Sequence, residues 1–123
     1  MSKKPESKRQ RRIRLAIQSR YGKDVFLYKV HGNEYQPGGL PDLIGVVYGY
    51  FFGLEVKEPE GSVSAVQLKR IEQIHRAGGI AGVVVTKEDV FEHLPPVRPE
   101  TTGGSRPSSG KEDNRDIRRA KNR

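Results

Sequence analysis

Apolar residues recur along residues 5–94 at two spacings, and these predict seven secondary-structure elements. Ile13, Ala16 and Ile17 lie at helical spacing, whereas runs such as VVYGYFF and IAGVVV are typical of buried strands. The predicted elements are a helix at 5–21, strands at 25–31, 42–48 and 50–57, a helix at 64–79, a strand at 80–85 and a short helix at 87–94. This α-β-β-β-α-β-α order predicts an α/β fold, with a mixed central sheet flanked by helices.

The chain of 123 residues has room for one domain with a modest core. We predict that this domain spans residues 1–94 and opens with a basic helical segment at 1–23. The remaining segment, 95–123, is rich in Pro, Gly, Ser and charged residues and has few apolar ones. Because such a segment cannot offset its own ordering entropy, it is predicted to be a disordered basic tail.

The formal net charge of +8 is unevenly distributed. Residues 1–23 carry +8 and residues 95–123 carry +4, while residues 24–94 carry −4. Basic ends around an acidic centre indicate a polyanionic partner such as nucleic acid, although charged ends can also serve solubility alone. The DNA-contacting candidates in the first segment are Lys3, Lys4, Lys8, Arg9 and Arg12.

Several classes of protein are disfavoured by composition. There is no cysteine, which excludes disulfides and thiolate metal sites, and no apolar run reaches the ~20 residues of a membrane span. No signal-peptide pattern and no P-loop or Rossmann glycine series is found. We therefore expect a soluble cytoplasmic protein with no membrane partner and no nucleotide cofactor.

Three charged residues lie at the ends of the two central strands. If a two-residue turn is formed by Gly49 and Tyr50, Asp42 lies opposite Lys57; if it is formed by Tyr48 and Gly49, Asp42 lies opposite Glu55. In both registers Asp42, Glu55 and Lys57 project from one face at one end of the hairpin. Two carboxylates beside an ammonium suit a Mg²⁺ or Mn²⁺ site for phosphodiester chemistry. The alternative is a cross-strand salt bridge with Glu55 at a solvated strand end.

A family resemblance rests on these residues and their neighbours. Pro41-Asp42 followed by Glu55-Val56-Lys57 is similar to the PD-(D/E)XK nuclease motif. The longer series GGLPDLIG, FFGLEVK and SAVQLKRIEQIHRAGGIAGVVV resembles the virus-type replication-repair nuclease domain, VRR-NUC, over roughly residues 6–90. The resemblance implies a restriction-endonuclease-like α-β-β-β-α-β core. It also implies a homodimeric Mg²⁺- or Mn²⁺-dependent DNA endonuclease, acting on branched DNA like a Holliday junction resolvase in phage or viral replication, recombination or repair.

The resemblance also implies roles for individual residues. Asp42, Glu55 and the main-chain carbonyl of Val56 would be metal ligands, and Lys57 would be the catalytic lysine. An acidic residue on the first helix and a Gln on the helix after the motif map to Glu6 and Gln67.

Glu6 and Gln67 can also be argued from their positions. Glu6 precedes Ile13 by seven residues, so on one helix it would share the azimuth of the apolar stripe and reach a metal at the sheet edge. Alternatively, Glu6 favours the helix N-terminus through the macrodipole, or the helix begins after it. Ser64-x-x-Gln67 fits a capping box, so a structural role explains Gln67 equally well.

The remaining candidates are weaker. His31 and Asn33 lie in a glycine-containing loop that leads to the predicted site, and either can contact DNA. Lys69 and Arg70, with Arg76, can line a phosphate track, although an exposed helix face carries such charges by default. The alternative function is a non-catalytic nucleic-acid-binding module with a nuclease-like fold.

Overall fold

The computed structural model describes residues 5–32 and 38–99. Its helices and strands follow the predicted α-β-β-β-α-β-α order, which confirms the α/β fold. A 3-10 turn at Gly22–Asp24 connects the first helix to the first strand. The elements are α1 (Lys8–Tyr21), β1 (Val25–Lys29), β2 (Leu43–Val47), β3 (Tyr50–Val56), α2 (Ala65–Arg76), β4 (Ile80–Val84) and α3 (Lys87–His93). Among the helices of these two ranges, none is long and apolar enough to cross a membrane.

The four strands form one mixed sheet in the order β1-β2-β3-β4. The β1–β2 and β2–β3 pairs are antiparallel, and the β3–β4 pair is parallel. Helix α2 makes the crossover that a parallel pair requires. Strands β1 and β4 are the edges, so the hairpin formed by β2 and β3 occupies the middle of the sheet.

All three helices begin with a capping box, in which side chain and backbone at the N-cap and third helical position exchange hydrogen bonds. In α1 the pair is Ser7 and Gln10, and in α2 it is Ser64 and Gln67. The prediction that the first helix begins at Pro5 is wrong, because the Ser7 box starts it at Lys8. Glu6 therefore lies outside the helix, and the argument that placed it in line with Ile13 does not hold.

The main core lies between the sheet and helices α1 and α3. Ile13 and Ile17 of α1 and Val90 of α3 pack against Leu43 and Phe52, and all five are buried. Gly45 is needed within this layer, because a Cβ there would lie 2.1 Å from the carbonyl oxygen of Phe26 and 2.7 Å from the Phe52 ring.

Helix α2 packs on the opposite face of the sheet. A Cβ on Gly53 would lie 3.0 Å from Ile74 of α2, so the helix approaches closely over β3. Its strand contacts are mainly with β3 and β4. Within residues 5–32 and 38–99, no helix packs mainly on the half of this face over β1 and β2.

The turn of the central hairpin is formed by Tyr48 and Gly49, with φ values of 51° and 85°. Positive φ at both positions is the geometry of a type I′ turn, which matches the twist of paired strands. A tyrosine rarely adopts this conformation. Here its ring contacts Tyr21 edge-to-face at 5.9 Å and lies 4.4 Å from the Arg98 guanidinium carbon.

The segment that follows α3 is packed on the same tyrosines. The backbone N–H of Arg98 donates to the Tyr48 hydroxyl at 2.9 Å, and the Tyr21 hydroxyl donates to the carbonyl of Pro95. Ordered contacts thus continue past Leu94, where sequence alone placed the end of the folded unit. The rest of the predicted tail, from residue 100, lies outside the described residues.

Candidate functional site

A cavity of about 430 Å³ opens at the end of the sheet where β1 and β3 finish and β2 begins. The N-terminal ends of α1 and α2 border it as well, since Gln10 and Ser64 line its wall. Its charged and amide side chains are Gln10, Lys29, Asp42, Glu55, Lys57 and Gln67. Residues distant in sequence thus converge on one concave surface, which is the usual setting of an active site.

The hairpin register decides which charged residues face each other. Val47 pairs with Tyr50 and Leu43 with Leu54, so the second of the two predicted registers is the one observed. Continued by one residue, it sets Asp42 opposite Glu55. Lys57 lies beside this acidic pair, with its Nζ 3.7 Å from Glu55 Oε2.

Asp42 is held by two backbone contacts. Its Oδ2 accepts a hydrogen bond from the Val56 N–H at 2.9 Å, and its carbonyl accepts from the Val30 N–H at 2.8 Å. The carboxylate therefore bridges β2 and β3, while its backbone ties β2 to the end of β1. These contacts orient Asp42 toward the cavity that it lines.

Pro41 leaves the backbone carbonyl of Val56 without a hydrogen-bond donor at the opposite position, just before β2. In the observed register Pro41 lies opposite Val56, whose N–H points toward β2. The N–H and C=O of one strand residue point to the same side, so the Val56 carbonyl also faces Pro41. Because proline has no N–H, it cannot donate to that oxygen.

Glu55 is a buried carboxylate with one oxygen unpaired. It is 3% exposed, and its Oε2 accepts a hydrogen bond from Gln67 Nε2 at 2.8 Å. Its Oε1 is buried and has no hydrogen-bond partner among the described residues. Burial, and next the charge of Asp42, raise the pKa of Glu55 to about 7, although Lys57 opposes the shift. Such a group requires a compensating partner when ionised.

This arrangement fits a hard divalent cation. Two carboxylates and a backbone carbonyl are oxygen ligands of the kind that Mg²⁺ and Mn²⁺ take, and the unpaired Glu55 Oε1 is where a positive charge would offset the repulsion from Asp42. Within residues 5–32 and 38–99 no three His, Asp or Glu side chains lie close enough to hold a metal. The site therefore suits an ion such as Mg²⁺, which uses few protein carboxylates and retains bound water.

The raised pKa of Glu55 predicts a pH-dependent stability that metal removes. Unfolded Glu55 ionises near its ordinary value of 4.5, whereas the folded protein holds the proton to about 7. The stabilising contribution of Glu55 is fully present below pH 4.5 and is lost as pH rises through 7, a change on the order of 3 kcal/mol. We expect metal-free protein to melt at a lower temperature at pH ~8 than at pH ~5.

Thermal unfolding in chelator, with the Glu55→Gln variant alongside, measures this effect. The variant should lose the part of the pH dependence that belongs to Glu55, and Mg²⁺ or Mn²⁺ should restore the wild-type protein at high pH. An identical pH profile for the two proteins would contradict the shifted ionisation.

Glu6 is not brought into the acidic cluster. Its carboxylate forms an ion pair with Arg14, at 2.6 Å from Nε and 3.1 Å from Nη2, and this hydrogen bonding lowers its pKa. Its neighbour Pro5 lines the cavity, but Glu6 does not. The observed contacts of Glu6 are structural, and they connect the segment before α1 to the helix.

Gln67 has the capping contact that sequence predicted, and it also contacts the acidic pair. Its backbone N–H and side-chain oxygen complete the capping box with Ser64, at 3.1 and 3.0 Å. Its amide nitrogen remains available and donates to Glu55. The start of α2 thereby fixes the orientation of a carboxylate in the cavity.

The predicted DNA-contacting residues differ in their hydrogen bonds and in their exposure. Arg9 donates to Glu58 at 3.0 Å and to the Val85 carbonyl at 2.6 Å, and Arg70 donates to the Gly38 carbonyl and to Gln73. The side chains of Lys8, Arg12 and Lys69 are exposed, while His31 is half-buried with its ring edge-to-face to Tyr28 at 6.2 Å. Lys3, Lys4 and Asn33 lie outside the described residues.

Sequence reasoning missed two residues of the cavity wall, Lys29 and Gln10. Lys29 is a cation at the end of an otherwise apolar strand, which is the same signal that drew attention to Asp42. Gln10 belongs to a Ser-x-x-Gln series like the one recognised at the start of α2. The long connection from residue 30 to 42 concealed that β1 pairs with β2 beside Asp42.

The fold and site together define a class: an α/β protein with an acidic pair and a lysine at one end of a central hairpin. No family model matches the chain, and no curated protein does. Among solved structures it is similar to one described as "VRR_NUC domain", with a TM-score of 0.54 and 21% identity over 70% of this chain and 94% of that one. The likeness confirms that the chain has a VRR-NUC-like fold.

Proposed function

We propose that this protein is a metal-dependent endonuclease that hydrolyses phosphodiester bonds in DNA. The observation that carries the proposal is Glu55, a buried carboxylate opposite Asp42 and beside Lys57, one of whose oxygens has no hydrogen-bond partner among the described residues. A salt bridge alone would not require a second carboxylate at that position. The likeness to a domain named for nuclease function supports the same reading.

Asp42, Glu55 and the Val56 carbonyl would hold Mg²⁺ or Mn²⁺. When bound, this ion polarises the phosphodiester and activates water for attack. Two features of the chain prepare the ligands for it. The Val56 N–H orients Asp42, and Gln67 orients Glu55, so neither carboxylate has to reorganise.

Lys57 supplies positive charge next to the carboxylates. Its side chain is 23% exposed and 3.7 Å from Glu55 Oε2, so its ammonium lines the cavity without being sealed from substrate. We assign it to stabilising the negative charge that develops on the phosphate and to orienting the attacking water.

DNA is the proposed substrate because cations and helix N-termini border the acidic pair. The N-terminal ends of α1 and α2 both reach the cavity, and their dipoles favour phosphate. The segment 1–23 contains α1, carries a charge of +8 and supplies non-specific affinity. We further propose branched or structured DNA, in phage or viral replication, recombination or repair, and a homodimer as the active form.

Lys29 is predicted to contact a substrate phosphate. Its Nζ donates to the Val30 carbonyl at 2.7 Å, and none of the ion pairs among the described residues includes it. We expect Lys29→Ala to weaken DNA binding about 3–10-fold and to reduce the slope of log K against log salt by about one. Lys87→Ala, at an exposed lysine on α3, is the matched control, and equal effects of the two changes would remove Lys29 from the site.

The proposed function is tested by incubating the purified full chain with linear, single-stranded, flapped and four-way DNA, with Mg²⁺, with Mn²⁺ and with chelator. We expect cleavage only with a divalent ion and strongest on one branched form. Salt-sensitive binding without cleavage of any substrate would favour the non-catalytic nucleic-acid-binding module instead.

A further inference from the structure

A hollow of about 360 Å³ lies between helix α2 and strand β3, on the face of the sheet that carries the acidic pair. The apolar walls of this α2 hollow include Leu40, Phe51, Ile74 and Ala77, and its polar side chains are Arg70 and Gln73. Among the described residues, no acid belongs to its lining. A mostly apolar recess of this size with a few polar groups is typical of a site for one small ring system.

The α2 hollow is adjacent to the cavity of the acidic pair. Leu40 lines both, so they share a wall. Phe51 lies four residues before Glu55 on β3, which is roughly 13 Å along the strand. A DNA strand spans that distance in about two to four nucleotides, since a stacked strand rises 3.4 Å per nucleotide and an unstacked one rises more. One strand can therefore reach both places.

The two polar side chains of the hollow are held in a defined orientation. Arg70 donates from Nε to the Gly38 carbonyl and from Nη1 to the side-chain oxygen of Gln73, each at 2.9 Å. Because a guanidinium only donates, the amide oxygen of Gln73 faces Arg70, and the amide nitrogen is directed away from it and can donate. The hollow thus offers apolar walls to a flat face and a donor to a polar edge.

We propose that the α2 hollow binds an unpaired nucleobase of the DNA strand whose backbone occupies the acidic cavity. A nucleobase has a flat apolar face and a polar edge, and a base outside the stack is bound through both. Phe51 and Leu40, which are 41% and 37% exposed, contact the face, and Gln73 donates to the edge. The inference rests on the proposed function and narrows its substrate to DNA with an unpaired nucleotide about two to four nucleotides from the cleaved bond.

Charge favours a nucleotide over an apolar protein side chain in this hollow. Lys69 and Arg76 are exposed and lie one turn before and one turn after Gln73 on α2. Together with Arg70 they place three cations around the hollow, where the phosphates that flank a bound base need them. The acid of the same helix, Glu72, does not line the hollow.

The hollow should select DNA in which a base is already free of its partner. A base inside a regular duplex must first be unpaired and unstacked, and this cost is smallest for a base that has no partner. A single bulged nucleotide in a linear duplex supplies such a base without any branch. It therefore separates recognition of an unpaired base from recognition of a junction.

Binding of the full chain in chelator to three linear duplexes tests the proposal. One duplex is fully paired, one has a single-nucleotide bulge, and one has a bulged nucleotide that lacks its base. We expect the bulged duplex to bind about 10-fold more tightly than the other two, which is the contribution of about one stacked base. The duplex with the baseless bulge controls for the flexibility that a bulge adds.

Ala77→Phe fills the hollow from an exposed position at the end of α2, and it should abolish this preference while binding of the paired duplex is unchanged. Gln73→Ala, which removes the donor, should reduce the preference about 3-fold. His75→Phe adds the same ring at an exposed position of α2 outside the hollow, and as the matched control it should keep the preference. Far-UV circular dichroism with thermal unfolding confirms that the variants are folded.

Equal affinity of the wild-type protein for the bulged and the baseless duplex, or a preference that survives Ala77→Phe, would overturn the proposal. A change in sedimentation of the DNA-free protein on Ala77→Phe, with the preference unchanged, would assign the hollow to a protein partner instead. Because the assay contains no metal, its outcome is independent of the proposed catalysis. Asp42→Asn protein should keep the preference, whereas failure of the proposed function would be seen as absence of cleavage on every substrate.

Discussion

Replacing Asp42 by asparagine is expected to abolish metal-dependent DNA cleavage, with a loss of at least ~10³-fold. Asparagine keeps an oxygen that can accept from the Val56 N–H at the 2.9 Å contact, so the hairpin end should retain its geometry. What the substitution removes is one of the two negative charges that would attract a divalent ion. The pKa of Glu55 should also fall, because the charge of Asp42 contributes to raising it.

The prediction is checked by single-turnover cleavage and by DNA binding in chelator. Binding should be retained, since the basic segment that supplies non-specific affinity is unchanged. Asp24→Asn, at an exposed acid on the 3-10 turn, is the matched control and should leave cleavage intact. Cleavage by Asp42→Asn at the wild-type rate would refute the proposed site.

Changing Lys57 to methionine is expected to reduce the rate of cleavage about 10²–10³-fold at saturating metal and DNA. Methionine has nearly the length of lysine without the ammonium, so the change removes charge next to the reacting phosphate and little volume. The expected signature differs from that of Asp42→Asn. Metal binding should be maintained or improved at pH ~8, because a positive charge 3.7 Å from Glu55 Oε2 opposes cation binding.

Measuring the rate and the metal affinity separately distinguishes the two roles. Titration of Mn²⁺ gives the affinity, and single-turnover cleavage at saturation gives the rate. Lys87→Met, at an exposed lysine on α3, is the control for loss of net charge. If Lys57 served only as a salt-bridge partner of Glu55, the variant would change thermal stability while cleavage continued at the wild-type rate.

Burial makes the acidic pair a strong candidate for function rather than a surface ion pair. Exposed cross-strand pairs contribute well under ~1 kcal/mol and do not need a completely buried carboxylate. Glu55 is 3% exposed with an unpaired oxygen, and its geometry is maintained by the first turn of α2 through Gln67. An arrangement that raises a carboxylate pKa to about 7 reduces stability at neutral pH unless a ligand compensates.

Local pattern determined the elements of the fold and the composition of the site. Apolar runs predicted all four strands, and the Ser-x-x-Gln series predicted the start of α2, because hydrophobic period and capping are properties of neighbouring residues. In either register the hairpin places Asp42, Glu55 and Lys57 on one face, because alternate residues of a strand project from the same side. The prediction that α1 begins at Pro5 is wrong, because the capping box at Ser7 starts the helix three residues later.

Long-range packing decided the hairpin register, the position of β1 in the sheet and the partner of Glu6. Sequence could not choose between the two hairpin registers, since the choice depends on Tyr48 adopting a positive φ that Tyr21 and Arg98 support from distant parts of the chain. Nor could it show that β1 lies beside β2, which brings Lys29 to the cavity, or that Glu6 pairs with Arg14 away from the acidic cluster. Strand β1 has the sequence of an ordinary buried strand, yet Phe26 is exposed. Among the described residues α2 packs mainly on β3 and β4, and the sequence of one strand does not encode which of its faces a helix will cover.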